Sequence, residues 1–457
     1  MLNNTIAAIS TPPGSGGIGI VRLSGDNSKD IAEKIFKPKN KNKSIKAAKG
    51  YTGIYGHIID EKNIIDEVIC FIYDSPYSYT GEDVIEISAH GGIQVLKEIL
   101  LLAVKHGAKY AQPGEFTKRA FLNNKIDLTK AEAVMDIISA KGKSARRAAV
   151  EAKNGALFKK IQHIKNMLLE ILAYIAVFID YPEEEIIDFD YNKASKDLKK
   201  CTKIIKDLLK TYNNFKINKN GLNIVITGKP NVGKSTLMNI LTGSEKSIVT
   251  EIAGTTRDII SENILISGIP VNIYDTAGLR DTKDLIEKAG VEKAYNQLKF
   301  ADIILAVFDI SDELDKKDEE LLNLYGTHEG FIAVINKTDL NQKLNDKKIK
   351  ESVKNIIYIS AKHEKNLNEL SDLILKLIAS EKFSPEDGVI ANERQEQCVK
   401  DAIIHLNHAL KANDSGETLD IISYCIENAI DVLMQLTGEK VTENVVDKIF
   451  HNFCVGK

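Results

Sequence analysis

The chain has 457 residues, 43% of them hydrophobic and 27% charged; that is longer than one core usually supports and too apolar for disorder throughout. Lys plus Arg number 61 against 64 Asp plus Glu, a net charge of -3, so no general basic excess advertises nucleic acid and any RNA contact must use a local patch. The five cysteines, Cys70, Cys201, Cys398, Cys425 and Cys454, lack CxxC spacing, which argues against a zinc site or a disulfide framework and fits a reducing cytoplasm.

The N-terminus has no basic segment leading into an apolar core, and the longest wholly apolar run, Ile171 to Ile179, is short for a bilayer; neither export nor membrane insertion is expected. Up to about Lys118 the pattern is mixed, with strand-like runs at Ile18–Leu23, Ile64–Tyr73 and Val84–Ser88 and a helix-like run at Ile93–Lys105. This predicts an α+β domain over 1–118. Gly14-Ser15-Gly16-Gly17-Ile18-Gly19 is formally G-x-G-x-x-G, but it leads into a strand-like run rather than a helix, so a dinucleotide site is rejected in favour of a loop with positive φ. Lys37 to Lys49, rich in Lys and Asn, reads as a solvated loop.

From Asp127 the period becomes helical: Leu128, Ala131, Met135 and Ile138, then Leu157, Ile161, Ile164 and Leu168 up to about Asp180. Lys141, Lys143, Arg146 and Arg147 form a basic cluster there, suited to RNA phosphates or to a solvated face. Short apolar runs at Ile224–Thr227, Val271–Tyr274, Ile303–Phe308, Phe331–Ile335 and Ile356–Ile359 alternate with helical stretches and predict a doubly wound α/β domain over 218–380. Helical periodicity returns at Glu393–His408 and Thr418–Leu436. The expectation is a multidomain chain in which one α-helical domain, 119–217 continued by 381–457, carries the α/β domain as an insertion.

Gly228-Lys229-Pro230-Asn231-Val232-Gly233-Lys234-Ser235 matches G-x-x-x-x-G-K-[ST] and sits between a strand and a helical run beginning near Ser235. In such a loop the backbone cradles the β-phosphate, Lys234 bridges β and γ oxygens, and Ser235 gives its hydroxyl to Mg²⁺. Asp275-Thr276-Ala277-Gly278 ends the next strand, where a carboxylate can hold Mg²⁺ through water and a glycine amide can meet the γ-phosphate. Asn336-Lys337-Thr338-Asp339 ends another; Asp339 can accept both guanine N1 and N2 protons, while Asn336 approaches N7 or tethers the loop. Ser360-Ala361-Lys362 can put a backbone N–H near guanine O6. Four such elements at strand ends on one rim of the sheet specify a GTP site. Leu279, where many regulatory GTPases have Gln, cannot orient water. Two other sources are open: a carboxylate such as Glu287, or a monovalent cation held by Asn231 and by backbone carbonyls of Thr250 to Thr256.

The segment Thr250-Glu251-Ile252-Ala253-Gly254-Thr255-Thr256-Arg257-Asp258, the run Asp275 to Arg280 and the tail Phe453-Cys454-Val455-Gly456-Lys457 resemble the MnmE (TrmE) family of tRNA-modification GTPases over essentially the whole chain. Thr11 to Gly14 and Pro113 to Thr117 resemble it too. The resemblance implies a K⁺-activated GTPase of the cytoplasm whose G domains associate in a homodimer. K⁺ would lie among Asn231, Thr250, Ile252 and Thr255, Mg²⁺ on Ser235 and Thr256, and Glu287 would be the catalytic, water-orienting residue. GTP contacts would extend over Asn231 to Thr236 (with Val232, Gly233 and Lys234 between), Thr250 to Thr256, Asp275 to Gly278, Asn336, Lys337, Asp339 and Ser360 to Lys362. It further implies that residues 1–118 fold as a folate-binding-like dimerisation domain, with a 5-formyl- or methylene-tetrahydrofolate on Arg22, Glu86, Lys125 and Lys457; Ser15 stands where relatives commonly carry Arg. The implied product is 5-carboxymethylaminomethyl-uridine at tRNA position 34, made with an FAD-dependent MnmG partner; nothing in this sequence resembles a flavin site. Cys454 near the C-terminus could be a thiolate nucleophile if Lys457 or a helix N-terminus lowers its pKa, and it is assigned no covalent chemistry. An RNA-binding ribosome-assembly GTPase is the alternative, and folate binding by the N-terminal half separates the two.

Overall fold

The computed structural model describes residues 4–140, 142–180, 189–243, 261–266, 269–275, 298, 301–378, 386 and 388–457. The chain forms two compact units, Met1–Met135 with Ala152–Lys206 and Arg394–Lys457, and Asp136–Glu151 with Asp207–Glu393.

The first unit opens with seven strands among the described residues: β1 (Ile6–Ile9), β2 (Gly16–Ser24), β3 (Phe36–Pro38), β4 (Thr52–Asp60), β5 (Asn63–Tyr73), β6 (Val84–Gly91) and β7 (Lys109–Tyr110). They hydrogen-bond in the order β3-β4-β5-β6-β2-β1-β7. Pairing is antiparallel except between β1 and β7. Alternation sets the faces: Ile54, Ile58, Val68, Cys70, Ile72, Ile85, Ile87, Val21 and Leu23 point into one core, closed by Ile31 and Ile35 of helix Ser28–Ile35 and Leu96 and Ile99 of helix Ile93–Lys105. Gly16 to Gly19 are strand rather than a positive-φ loop; of the glycines there only Gly14 has positive φ, and the ladder to β6 absorbs the irregularity between Gly16 and Gly19. The Lys37–Lys49 stretch is also more fixed than its charge suggests. Ile45 is fully buried, and Glu33 Oε2 accepts from its amide at 2.7 Å.

The helices Glu115–Leu122, Ala156–Asp180, Leu419–Thr437 and Glu443–His451 belong to this unit, as do Leu128–Ser139 as far as Met135, Tyr191–Asn220 as far as Lys206 and Glu393–Asp414 from Arg394 onward. The C-terminal helices do return to the earlier ones. Leu419–Thr437 packs along Ala156–Asp180, and Arg394 ties three helices through Glu132 (2.8 Å from both Nε and Nη2) and the Leu436 carbonyl (3.0 Å). By length and composition alone Ala156–Asp180 is apolar enough to cross a membrane, as the core helix of a soluble protein also can be.

The second unit is built on six strands among the described residues: β8 (Leu222–Gly228), β9 (Ser261–Ile266), β10 (Ile269–Asp275), β11 (Ile303–Asp309), β12 (Phe331–Asn336) and β13 (Asn355–Tyr358). Their order is β13-β12-β11-β8-β10-β9, parallel throughout except for β9. Both faces are covered, which is why β11 and β12 read as unbroken apolar runs. Helices Lys234–Gly243 and Leu367–Ile378 close one core through Leu237, Leu241, Leu370 and Ile374; Leu322 and Ile349 help close the other. The five strands expected here are all present. The antiparallel edge strand β9 was not foreseen.

Candidate functional site

Parallel pairing brings the carboxyl ends of β8, β10, β11 and β12 to one rim, with Asp309 directly opposite Asn336 and Asp275 opposite Ile226. In a doubly wound sheet that rim is the ligand crevice. β8 ends at Gly228 and helix Lys234–Gly243 starts four residues beyond Pro230, so the Gly228–Ser235 loop faces a helix N-terminus. Lys234 is only 6% exposed, and its Nζ donates to the carbonyls of Gly228 (3.0 Å) and Lys229 (2.5 Å), which lays the ammonium along the loop. Ser235 and Thr236 are exposed at the helix start, and Asn231 is exposed with φ of 64°. A left-handed, solvent-facing asparagine at the crest of the loop suits a carbonyl ligand to a cation.

Asn336 knots three motif segments together. Its Nδ2 donates to Val232 O at 2.8 Å, and its Oδ1 accepts from the Ala361 amide at 2.9 Å, all in a buried setting. Of the two roles open to Asn336, the structure shows the tether. Ala361's amide donates into that tie. The fit leaves no room for a side chain at Gly233: a Cβ there would stand 2.3 Å from Asn336 Nδ2, and φ is +99°.

Asp339 follows on the same rim. The Ser360 hydroxyl donates to its Oδ1 at 2.6 Å and holds its carboxyl below the usual carboxylate range, so the acceptor is ionised at neutral pH. Ser360 is itself fully buried. Lys337, at φ 63°, pairs with Asp309 Oδ2 at 2.6 Å. Burial works against the Asp309 charge, but Lys337 and Ser311 outweigh it and its pKa is lowered. Two contributions escaped the sequence reading: Asp309, legible only as the register partner of Asn336, and the part played within the motif by Lys229, whose Nζ meets Asp318 at 2.7 Å and the Glu313 carbonyl at 3.0 Å and so pins the loop's outer arm. Asp318 in turn belongs to a capping box with Asp315 at helix Lys316–Tyr325. Thr250, Glu251, Ile252, Ala253, Gly254, Thr255, Thr256, Thr276, Ala277, Gly278 and Glu287 lie outside the described residues, and of Asp275 only its place at the end of β10 is described.

The first unit holds a second cluster. Arg22 on β2 and Glu86 on β6 are cross-strand partners, joined at 2.7 Å (Nη2–Oε1) and 2.8 Å (Nε–Oε1). The Arg22 guanidinium also lies over Phe116, 5.5 Å from the ring centroid, and its Nη1 donates to Gly456 O at 3.1 Å. The tail is thereby docked against β1 and β2. Gly456, at φ +92°, fits closely enough that a Cβ would meet Ile9 O at 2.5 Å. Burial, with positive Arg22 and Lys153 nearby, holds the Lys457 ammonium below the usual lysine value. The Ser10 hydroxyl, beside Gly456, is buried and has no hydrogen-bond partner among the described residues. Arg22, Glu86 and Lys457 are thus brought together, whereas Lys125 donates to Pro76 O at 2.8 Å. Cys454 is exposed. Of the basic cluster, Arg147 pairs with Glu386 at 2.7 Å at the surface, and Lys141 lies outside the described residues.

Residues 128–454 match the family model for the MnmE helical domain, and residues 5–125 match that for the GTP-binding protein TrmE N-terminus. The chain is 44% identical to the tRNA modification GTPase MnmE of Clostridioides difficile (strain 630), over 100% of both chains. It is 43% identical to that of Thermoanaerobacter sp. (strain X514), again over 100% of both, and 42% identical to that of Acetivibrio thermocellus, over 99% of both. A solved structure of Era in complex with MgGDPNP and a segment of 16S ribosomal RNA aligns at 32% identity over 41% of this chain and 66% of that chain, with a TM-score of 0.29.

Proposed function

This chain belongs to the MnmE family of tRNA modification GTPases, and on that premise we propose that it runs a K⁺-activated, dimerisation-dependent GTPase cycle coupled to a folate-fed modification of wobble uridine 34. Hydrolysis of GTP in tRNA modification is the family's activity and this chain's, with Mg²⁺ accompanying the nucleotide as in GTPases generally. The finer reading assigns Mg²⁺ to Ser235 and Thr256 and K⁺ to Asn231, Thr250, Ile252 and Thr255. When bound, the two ions supply charge neutralisation beside the phosphates. Lys234 binds β and γ oxygens, Glu287 orients the attacking water, and Asp339 reads guanine.

The observation that carries the K⁺ assignment is Asn231 itself, exposed and left-handed at the crest of the phosphate loop. In the first unit, the donors Arg22 and Lys457 and the acceptor Glu86, with the Ser10 hydroxyl that has no partner among the described residues beside them, suit a ligand carrying both carboxylates and an amino-pterin edge. Those residues would hold a tetrahydrofolate, and when bound it supplies the one-carbon unit. Lys125 would join from the Pro76 loop. Dimerisation through this domain is supported by Tyr55, Ile69 and Phe71, exposed on the sheet face that its own helices do not cover. The redox step belongs to an FAD-dependent MnmG-type partner, and the complex acts on tRNA in the cytoplasm.

GTP turnover in K⁺ against Na⁺ tests the reading. K⁺ is expected to raise kcat by at least tenfold, and Asn231→Ala to abolish that response while leaving turnover in Na⁺ nearly unchanged. Equal rates in the two salts, or an Asn231→Ala protein with its full K⁺ response, would remove the ion site.

A further inference from the structure

Helix Ala156–Asp180 is apolar on two faces, and among the described residues only one of them is covered. Leu157, Ile161, Ile164, Leu168, Ile171 and Ile175 are buried. Leu169, Leu172, Ala173, Ala176 and Ile179 recur at helical spacing on another face and form one wall of an open groove of about 580 Å³. The opposite wall is helix Leu419–Thr437, through Asp420, Ser423, Tyr424 and Glu427 at i, i+3, i+4 and i+7. Tyr424 is 66% exposed and Leu169 46%. Large apolar and aromatic side chains left open along a groove mark a contact surface rather than a solvated face.

Charge selects the occupant. Among the described residues the charged side chains lining the groove, Asp180, Asp420 and Glu427, are all acidic. Such a rim repels nucleic-acid phosphates and anionic lipid headgroups, and it attracts lysine and arginine. Leu169 to Ile179 spans about 15 Å, the length over which a docked helix presents anchors at i, i+3 or i+4 and i+7.

We propose that this groove docks an amphipathic helix of a partner protein, its apolar residues filling the floor and its Lys or Arg flanks meeting Asp180, Asp420 and Glu427. The inference rests on the reading that a flavoprotein partner joins this chain, and it names the surface that partner would use. Binding of the full-length protein to the purified flavoprotein is measured by interferometry for wild type, Tyr424→Ala and Glu427→Lys. Both positions are exposed and lie outside the GTP site, so unchanged GTP turnover and circular dichroism report an intact fold. Each variant is expected to bind at least about tenfold more weakly. Raising salt from about 0.1 to about 0.5 M is expected to weaken wild type more than Glu427→Lys. Wild-type affinity in both variants overturns the groove while leaving the partner reading standing; failure of wild type to bind at all overturns both. Flotation of wild type, but not Tyr424→Ala, with phosphatidylcholine and phosphatidylglycerol vesicles would overturn it in favour of a lipid surface.

Discussion

Asp339→Asn is expected to weaken GTP binding by about 10³-fold and to transfer the preference to xanthosine triphosphate, because the site's guanine reading depends on two acceptor lone pairs of one carboxylate. The Ser360 hydroxyl occupies one side of Oδ1 and keeps the group ionised, leaving it acceptor-only toward the base. Guanine presents N1–H and N2–H. An asparagine turns one acceptor into an NH₂ donor that faces the guanine amine, and a donor left against a donor is an unmade bond. Xanthine carries an oxygen in place of that amine and accepts from the new NH₂ while still donating N1–H. Fluorescence titration with the two triphosphates checks this. A variant that keeps GTP affinity within threefold of wild type would show that Asp339 does not read the base.

Asn336→Ala should destabilise the nucleotide-free second unit by about 2–4 kcal/mol, since it strips the partners from Val232 O and the Ala361 amide in a setting where water does not replace them. Asn336 is 2% exposed. A unit of this size would lose roughly 5 °C or more in melting temperature. GTP binding would weaken too, because the phosphate loop and the Ser360–Lys362 loop lose their common post. Asn336→Asp is the sharper control: it keeps an acceptor for Ala361 but sets a carboxylate oxygen against the Val232 carbonyl, so it is expected to melt no higher than the alanine variant. Thermal unfolding of apo protein decides; an unchanged melting temperature in both variants would leave the tether without energetic weight.

Where a strand is covered on both faces, its sequence announces it. β11 and β12 are unbroken apolar runs, and β8 and β10 nearly so, which makes the central sheet and its ligand rim legible in the sequence. The strands that went unread lie where that cover is missing or interrupted. β4 alternates around Gly53, Gly56 and His57, so its buried Ile54 and Ile58 stand apart. β9 is an antiparallel edge. The site divides on similar lines. Residues that touch phosphate or base belong to a spacing pattern within one segment and can be read in order. The ties among segments cannot, because Asn336 reaching Val232 and Ala361, or Arg22 reaching Gly456 across 434 positions, are products of strand register and of the tail's path. The second apolar face of helix Ala156–Asp180 shows the converse: periodicity found the helix, but only packing separates the stripe that is buried from the stripe that faces the groove.

Calorimetric titration of metal-replete, nucleotide-free protein with GTP and with ATP bears most directly on a guanine-reading rim at the carboxyl ends of β8, β10 and β12. Saturable GTP binding, with ATP at least about 10³-fold weaker, is the expected result. Equal affinity for the two, or binding of neither, would contradict it.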